Sequence, residues 1–196
     1  MRKLAAIPFL ILYSCIIIEP KPEIIPETTF SPIDDVSGDY TTETTLIDIS
    51  DIPCWEHIMN ITDGNLTLEF NHTLYKSGFG CFDFDDWGTF PEVESSNPHM
   101  LSTDEEGSIS IWLSEPVSTF GLEVKPGSFG DYFITVDFYS KTKLIGSVKK
   151  PNAGVYESPE AVLFAASTND SFERIVISGF SSESGFDMAQ FRYVLE

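Results

Sequence analysis

The stretch Ser108-Ile109-Ser110-Ile111-Trp112-Leu113 decides the fold. Its apolar residues recur every second position, so Ile109, Ile111 and Leu113 share one face while Ser108 and Ser110 share the other, the signature of a half-buried β-strand. Trp112 stands opposite in phase to the isoleucines and therefore points away from their face. The same period fits Leu66 to Phe70, Phe120 to Val124, Tyr132 to Tyr139, Leu144 to Val148, Ala161 to Ala165, Arg174 to Ser178 and Ala189 to Leu195. Gly, Pro, Ser or Asn clusters bound each run. Within Tyr132 to Tyr139, residues Tyr132, Ile134, Val136 and Phe138 fill the gap between two sheets while Thr135 and Asp137 face water. Many short strands at near-regular spacing predict an all-β, antiparallel β-sandwich over 46–196. No amphipathic stretch of three helical turns competes, and the only helix expected is a short turn around Tyr156 to Ala161.

The chain has 196 residues, 42% of them hydrophobic, which suits one buried core rather than two large domains. Its 11 Lys+Arg against 31 Asp+Glu give a formal charge of −20. That field repels polyphosphate and supplies no basic stripe, so nucleic acid is excluded as a partner.

Arg2 and Lys3 precede an apolar run from Leu4 to Leu12, the order of a secretory signal. Even extended through Ile16-Ile17-Ile18, the run carries Pro8 and falls short of the ~20 apolar residues that span a bilayer as a helix. A permanent membrane span is the alternative. Residues 1–14 are thus read as a signal segment. The following 15–45, with Pro20, Pro22, Pro26 and Pro32 among Glu, Thr, Ser and Asp, are read as a solvated spacer.

Leu12-Tyr13-Ser14-Cys15 resembles the bacterial lipoprotein signal, in which a small residue precedes a cysteine that is lipidated and becomes the new N-terminus. The resemblance implies a lipid anchor on Cys15, a membrane partner through that anchor, and an extracytoplasmic location; plain secretion is the alternative. From Ser108 to the end the chain resembles a β-sandwich module of bacterial secreted and surface proteins often found with a PEP-CTERM-type sorting signal. The phrases that carry this are Ser114-Glu115-Pro116-Val117-Ser118-Thr119-Phe120-Gly121-Leu122-Glu123-Val124, Phe133-Ile134-Thr135-Val136, Leu144-Ile145-Gly146-Ser147-Val148, Leu163-Phe164-Ala165-Ala166, Phe172 to Ile177 and Gly185 to Tyr193. The resemblance implies a jelly-roll, galactose-binding-like sandwich akin to carbohydrate-binding modules. No PEP-CTERM tail follows the last of these phrases before Glu196, so Cys15 is the expected anchor.

With Cys15 lipidated, Cys54 and Cys81 remain as an even pair in an oxidising compartment, either a disulfide or two buried thiols. Asp83, Asp85 and Asp86, followed by Trp87 and Gly88, form the densest acidic cluster. It is a weak candidate for structural calcium, because Trp87 stands where a loop of that kind needs an oxygen ligand, and a solvated acidic loop is the favoured reading. No cofactor is expected. Trp55, Trp87 and Trp112 are the candidate plates for stacking on sugar rings, with Trp87 the best placed for exposure in its acidic segment.

Catalytic residues are not assigned: His57, His72 and His99 lack metal-ligand spacing and no nucleophile elbow or phosphate loop occurs. A carboxylate pair could hydrolyse glycosides, yet among 31 acids none is singled out. The four Asn-X-Ser/Thr triplets at Asn60, Asn65, Asn71 and Asn169 are read as chance matches in a Thr-rich bacterial chain. The expectation is a non-catalytic surface lipoprotein whose sandwich binds glycan or a surface protein. A polysaccharide-active hydrolase and a purely structural or adhesive protein are the rivals.

Overall fold

The computed structural model describes residues 27–81, 87–104, 107–127, 133–151, 160–179 and 185–196. Its strands in chain order are β1 (Phe30–Ile33), β2 (Thr45–Leu46), β3 (His57–Thr62), β4 (Thr67–Gly78), β5 (His99–Ser102), β6 (Ser108–Pro126), β7 (Phe133–Ser140), β8 (Lys143–Pro151), β9 (Val162–Ser178) and β10 (Phe186–Leu195), with one helix, α1 (Gly38–Glu43), between β1 and β2. All pairings are antiparallel.

The strands form a β-sandwich whose two layers share three long strands. In the first layer β3, the start of β4, the first half of β6, the second half of β9, β7 and β8 lie side by side. In the second, β1, the first half of β9, the second half of β6 and β10 do so, with β2, β5 and the end of β4 beyond them. The crossing point of β6 is Ser114-Glu115-Pro116, where alternation lapses and the register against β9 shifts between Trp112 and Val117. Leu68, Phe70, Ile109, Ile111, Ile175, Ile177, Val136 and Phe138 from the first layer meet Phe120, Leu122, Val124, Phe164, Met188 and Phe191 from the second in one core. Each such side chain contributes about 1.5–3 kcal/mol by leaving water.

Residues 27–45, expected within the spacer, pack with the domain. Phe30 inserts its ring against Phe138 and Phe172, with centroids 5.6 and 6.3 Å away. Gly146 leaves the room for it, since a Cβ there would collide with the Phe30 ring. Pro32 lies on β1, whose one partner among the described residues is β9, and an edge strand is where a sheet accommodates proline. Ser37 caps α1 by accepting from the Tyr40 N–H at 3.1 Å, and Asp39 places negative charge in the first turn. The helix expected around Tyr156 falls mostly outside the described residues, as do Cys15 and the signal segment; Glu160 and Ala161 are not helical.

The two outer faces of the sandwich differ. Over the second layer, Val36 and Tyr40 pack on Leu163 and Ala165, and Trp87 and Val93 pack on Met100, Ala161 and Ala189. Over the first layer Trp112, Phe133 and Leu144 stand exposed. One face is covered and the other is open, and that asymmetry places the candidate site.

Candidate functional site

The ladders of the first layer line up one residue from each of six strands. Asn60 is opposite Glu69, Glu69 opposite Trp112, Trp112 opposite Arg174, Arg174 opposite Tyr139, and Tyr139 opposite Leu144. All six lie out of phase with the buried set, so they form a transverse row on the open face. At one inter-strand spacing per step the row is about 24 Å long. Trp112 is 43% exposed and Leu144 49%. The Arg174 guanidinium lies over the Tyr139 ring, with Cζ 4.3 Å from the centroid, and its Nε is buried without a hydrogen-bond partner. The adjacent row runs through Ser110, Val176, Asp137 and Ser147, and the Ser147 hydroxyl donates to Asp137 Oδ1. Further along, Lys149 Nζ sits 4.4 Å from the Phe133 ring centroid. The face thus carries flat rings, carboxylates, an amide and hydroxyls.

At its Asn60 end the row reaches an open cleft of about 570 Å³. Ile49, Ile52, Ile58 and Pro53 give it apolar walls, and Asp48, Asp51 and Glu56 bring three carboxylates to it. Beside it the Lys76 ammonium is buried, donating to the Ile49 carbonyl at 3.0 Å and to His99 Nδ1 at 3.1 Å. Burial pushes both the Lys76 and His99 pKa values below their ordinary ranges, with the Lys76 charge adding to the effect on His99.

The three tryptophans have separate fates. Trp112 lies on the open face, where its phase in the sequence puts it. Trp55 is 56% exposed and stacks on Tyr75 at 6.0 Å, apart from the row and next to the Cys54–Cys81 disulfide. Trp87, expected to be the most accessible plate, has no exposed surface. Its indole Nε1 donates to Glu123 Oε2 at 2.6 Å, so it is a core anchor of the covering segment. The neighbouring Asp83, Asp85 and Asp86 lie outside the described residues. Among the described residues no group of carboxylates, histidines and cysteines is assembled for a metal. Cys54 and Cys81 are disulfide-bonded, with Cα atoms 5.4 Å apart.

The sequence reading missed Glu123. It occupies an outward position of β6 in the second layer, directly under the cover, with no exposed surface. Its two carboxylate oxygens accept from Trp87 Nε1 and from the Glu94 backbone N–H. The Glu94 carboxylate in turn holds Arg192 through Nε at 2.7 Å and Nη2 at 2.6 Å, and Arg192 Nη1 donates to the carbonyls of Thr41 and Thr44 in and beside α1. One polar chain therefore ties the 87–94 segment and α1 to β6 and β10. Burial outweighs the two donors and Arg192, and pushes the Glu123 carboxyl up to about 7. The nearby Tyr40 hydroxyl, buried without a hydrogen-bond partner, is raised for the same reason. Having no surface, Glu123 holds the cover in place and meets no substrate in this conformation.

No family model matches the chain, and no curated protein matches it. Among solved structures it is similar to a family 29 carbohydrate-binding module from Piromyces equi, at 13% identity and a TM-score of 0.34, over 76% of this chain and 88% of that one. It is also similar to the enzymatically active domain of a bacteriophage CBA120 tailspike protein, at 14% identity and a TM-score of 0.30, over 68% of this chain. The match spans only 20% of that tailspike chain. Likeness at this level carries no functional argument.

Proposed function

We propose that this is a non-catalytic, extracytoplasmic glycan-binding domain that meets its ligand on the open face of the first layer. The observation that carries the reading is Trp112, an indole 43% exposed in the middle of a strand, flanked across the sheet by Glu69 and Arg174. A half-exposed indole on a sheet surface keeps apolar area in water, and a sugar ring removes that area by laying its C–H face on the plate while neighbouring polar groups take its hydroxyls. The disulfide supports export to an oxidising compartment. The lipoprotein-like Leu12 to Cys15 supports tethering to a membrane.

Binding to a glycan array is the test of the first half. Trp112→Ala should reduce the strongest signal about tenfold or more, the loss expected of a stacking anchor, with unchanged circular dichroism. An array on which the wild-type domain binds nothing refutes it. Membrane fractionation tests the tether: Cys15→Ala should shift the protein into the soluble fraction, and unchanged membrane partitioning refutes the anchor.

A further inference from the structure

Resting on the glycan reading, we infer that the open face selects an uncharged polysaccharide and seats it across the strands, along the row from Tyr139 over Trp112 to Asn60. Two features fix the direction. The rings and polar groups of the row come from successive strands and not from successive positions of one strand, so a ligand that uses Tyr139, Trp112 and Asn60 together must cross the layer. The row also leads into the cleft beside β3, which Asn60 lines, so a chain longer than the face has somewhere to continue.

Charge fixes the class. Among the described residues, two cations stand on this face, each over an aromatic ring, Arg174 on Tyr139 and Lys149 on Phe133. Glu69 faces outward beside Trp112, and the cleft at the end of the row adds Asp48, Asp51 and Glu56. A uronate or sulfated chain would bring like charge against these carboxylates and against a protein of net charge −20. Neutral sugar hydroxyls can donate to the same carboxylates and lose nothing to repulsion.

Titration calorimetry of the full chain with a neutral β-glucan, polygalacturonate and a deacetylated chitin polymer, each at low and at physiological ionic strength, tests the inference. The neutral polymer should bind with an affinity that barely changes with salt, and the polyanion should not bind. Tyr139→Phe should retain that affinity, whereas Tyr139→Ala and Asn60→Ala should each weaken it several-fold. Tightest binding to polygalacturonate, or to the polycation with a steep loss in salt, overturns the class. Full affinity in both Tyr139→Ala and Asn60→Ala, with loss in Trp112→Ala, overturns the direction while leaving the glycan reading intact. Binding that survives Trp112→Ala refutes that reading.

Discussion

Replacing Glu123 by Gln tests whether burial or hydrogen bonding governs the polar chain under the cover. The carboxylate accepts from Trp87 and from the Glu94 backbone, and both donors favour its charged form. Burial favours the neutral form and wins, holding the group near 7 against an ordinary 4.5. The sign follows from proton linkage. A carboxyl whose pKa is higher in the folded chain binds more protons folded than unfolded, so its contribution to stability is complete below the unfolded value, falls as pH rises, and is lost above about 7. The difference between the two values corresponds to about 3 kcal/mol. Gln has nearly the shape of the protonated acid and does not titrate. The wild type and Glu123→Gln should therefore be within about 1 kcal/mol of each other at acidic pH, where each offers one carbonyl acceptor to the two donors. The variant should gain on the wild type by up to about 3 kcal/mol as pH rises through neutrality. Urea unfolding followed by tryptophan fluorescence across this range measures the difference, and titrations elsewhere in the chain cancel in it. Parallel pH profiles would refute the reasoning. A wild type that gains on the variant with rising pH would show that Trp87, Glu94 and Arg192 stabilise the charge more than burial penalises it.

Three further outcomes follow from the same geometry. Trp87→Ala should cost about 3–5 kcal/mol, because it empties a core position and leaves Glu123 short of a donor, whereas Trp112→Ala should cost about 1 kcal/mol or less; chemical denaturation separates the two. Replacing Cys54 and Cys81 together by Ser should lower stability by about 3–4 kcal/mol, the loop-closure value for their separation of 27 residues, and an unchanged urea midpoint would contradict a stabilising role for the bridge. Gly121→Ala should destabilise by about 1–3 kcal/mol, since the new Cβ would collide with the Tyr40 hydroxyl and crowd the Ala165 Cβ across β9; thermal melting reads this directly.

The layer structure was legible because alternation is enforced wherever one face of a strand is buried, and Ile109, Ile111 and Leu113 obey it without exception. What the pattern could not convey was continuity. Ser108 to Leu113 and Phe120 to Val124 read as two strands but are halves of β6, and Ala161 to Ala165 and Arg174 to Ser178 lie almost wholly in the two halves of β9. The lapse in alternation where β6 changes layers looks the same in one dimension as a turn. β1 and α1 were hidden for another reason: their order comes from Phe30 on Phe138 and Phe172 and from Tyr40 on the sheet, contacts more than 100 residues away for Phe30. Trp112 was readable from phase alone. Trp87 was misread because its acidic neighbours suggest solvent, while the partner that buries it, Glu123, lies 36 residues further on.

The most direct test of the account is the set of indole N–H resonances in a ¹⁵N–¹H spectrum of the domain titrated with a neutral glucan oligosaccharide. The account predicts that the Trp112 resonance moves with saturable dependence on ligand, while that of Trp87, sealed beneath the cover, stays in place. A Trp112 resonance unmoved at saturating ligand, or ligand-dependent shifts confined to Trp55, would contradict it.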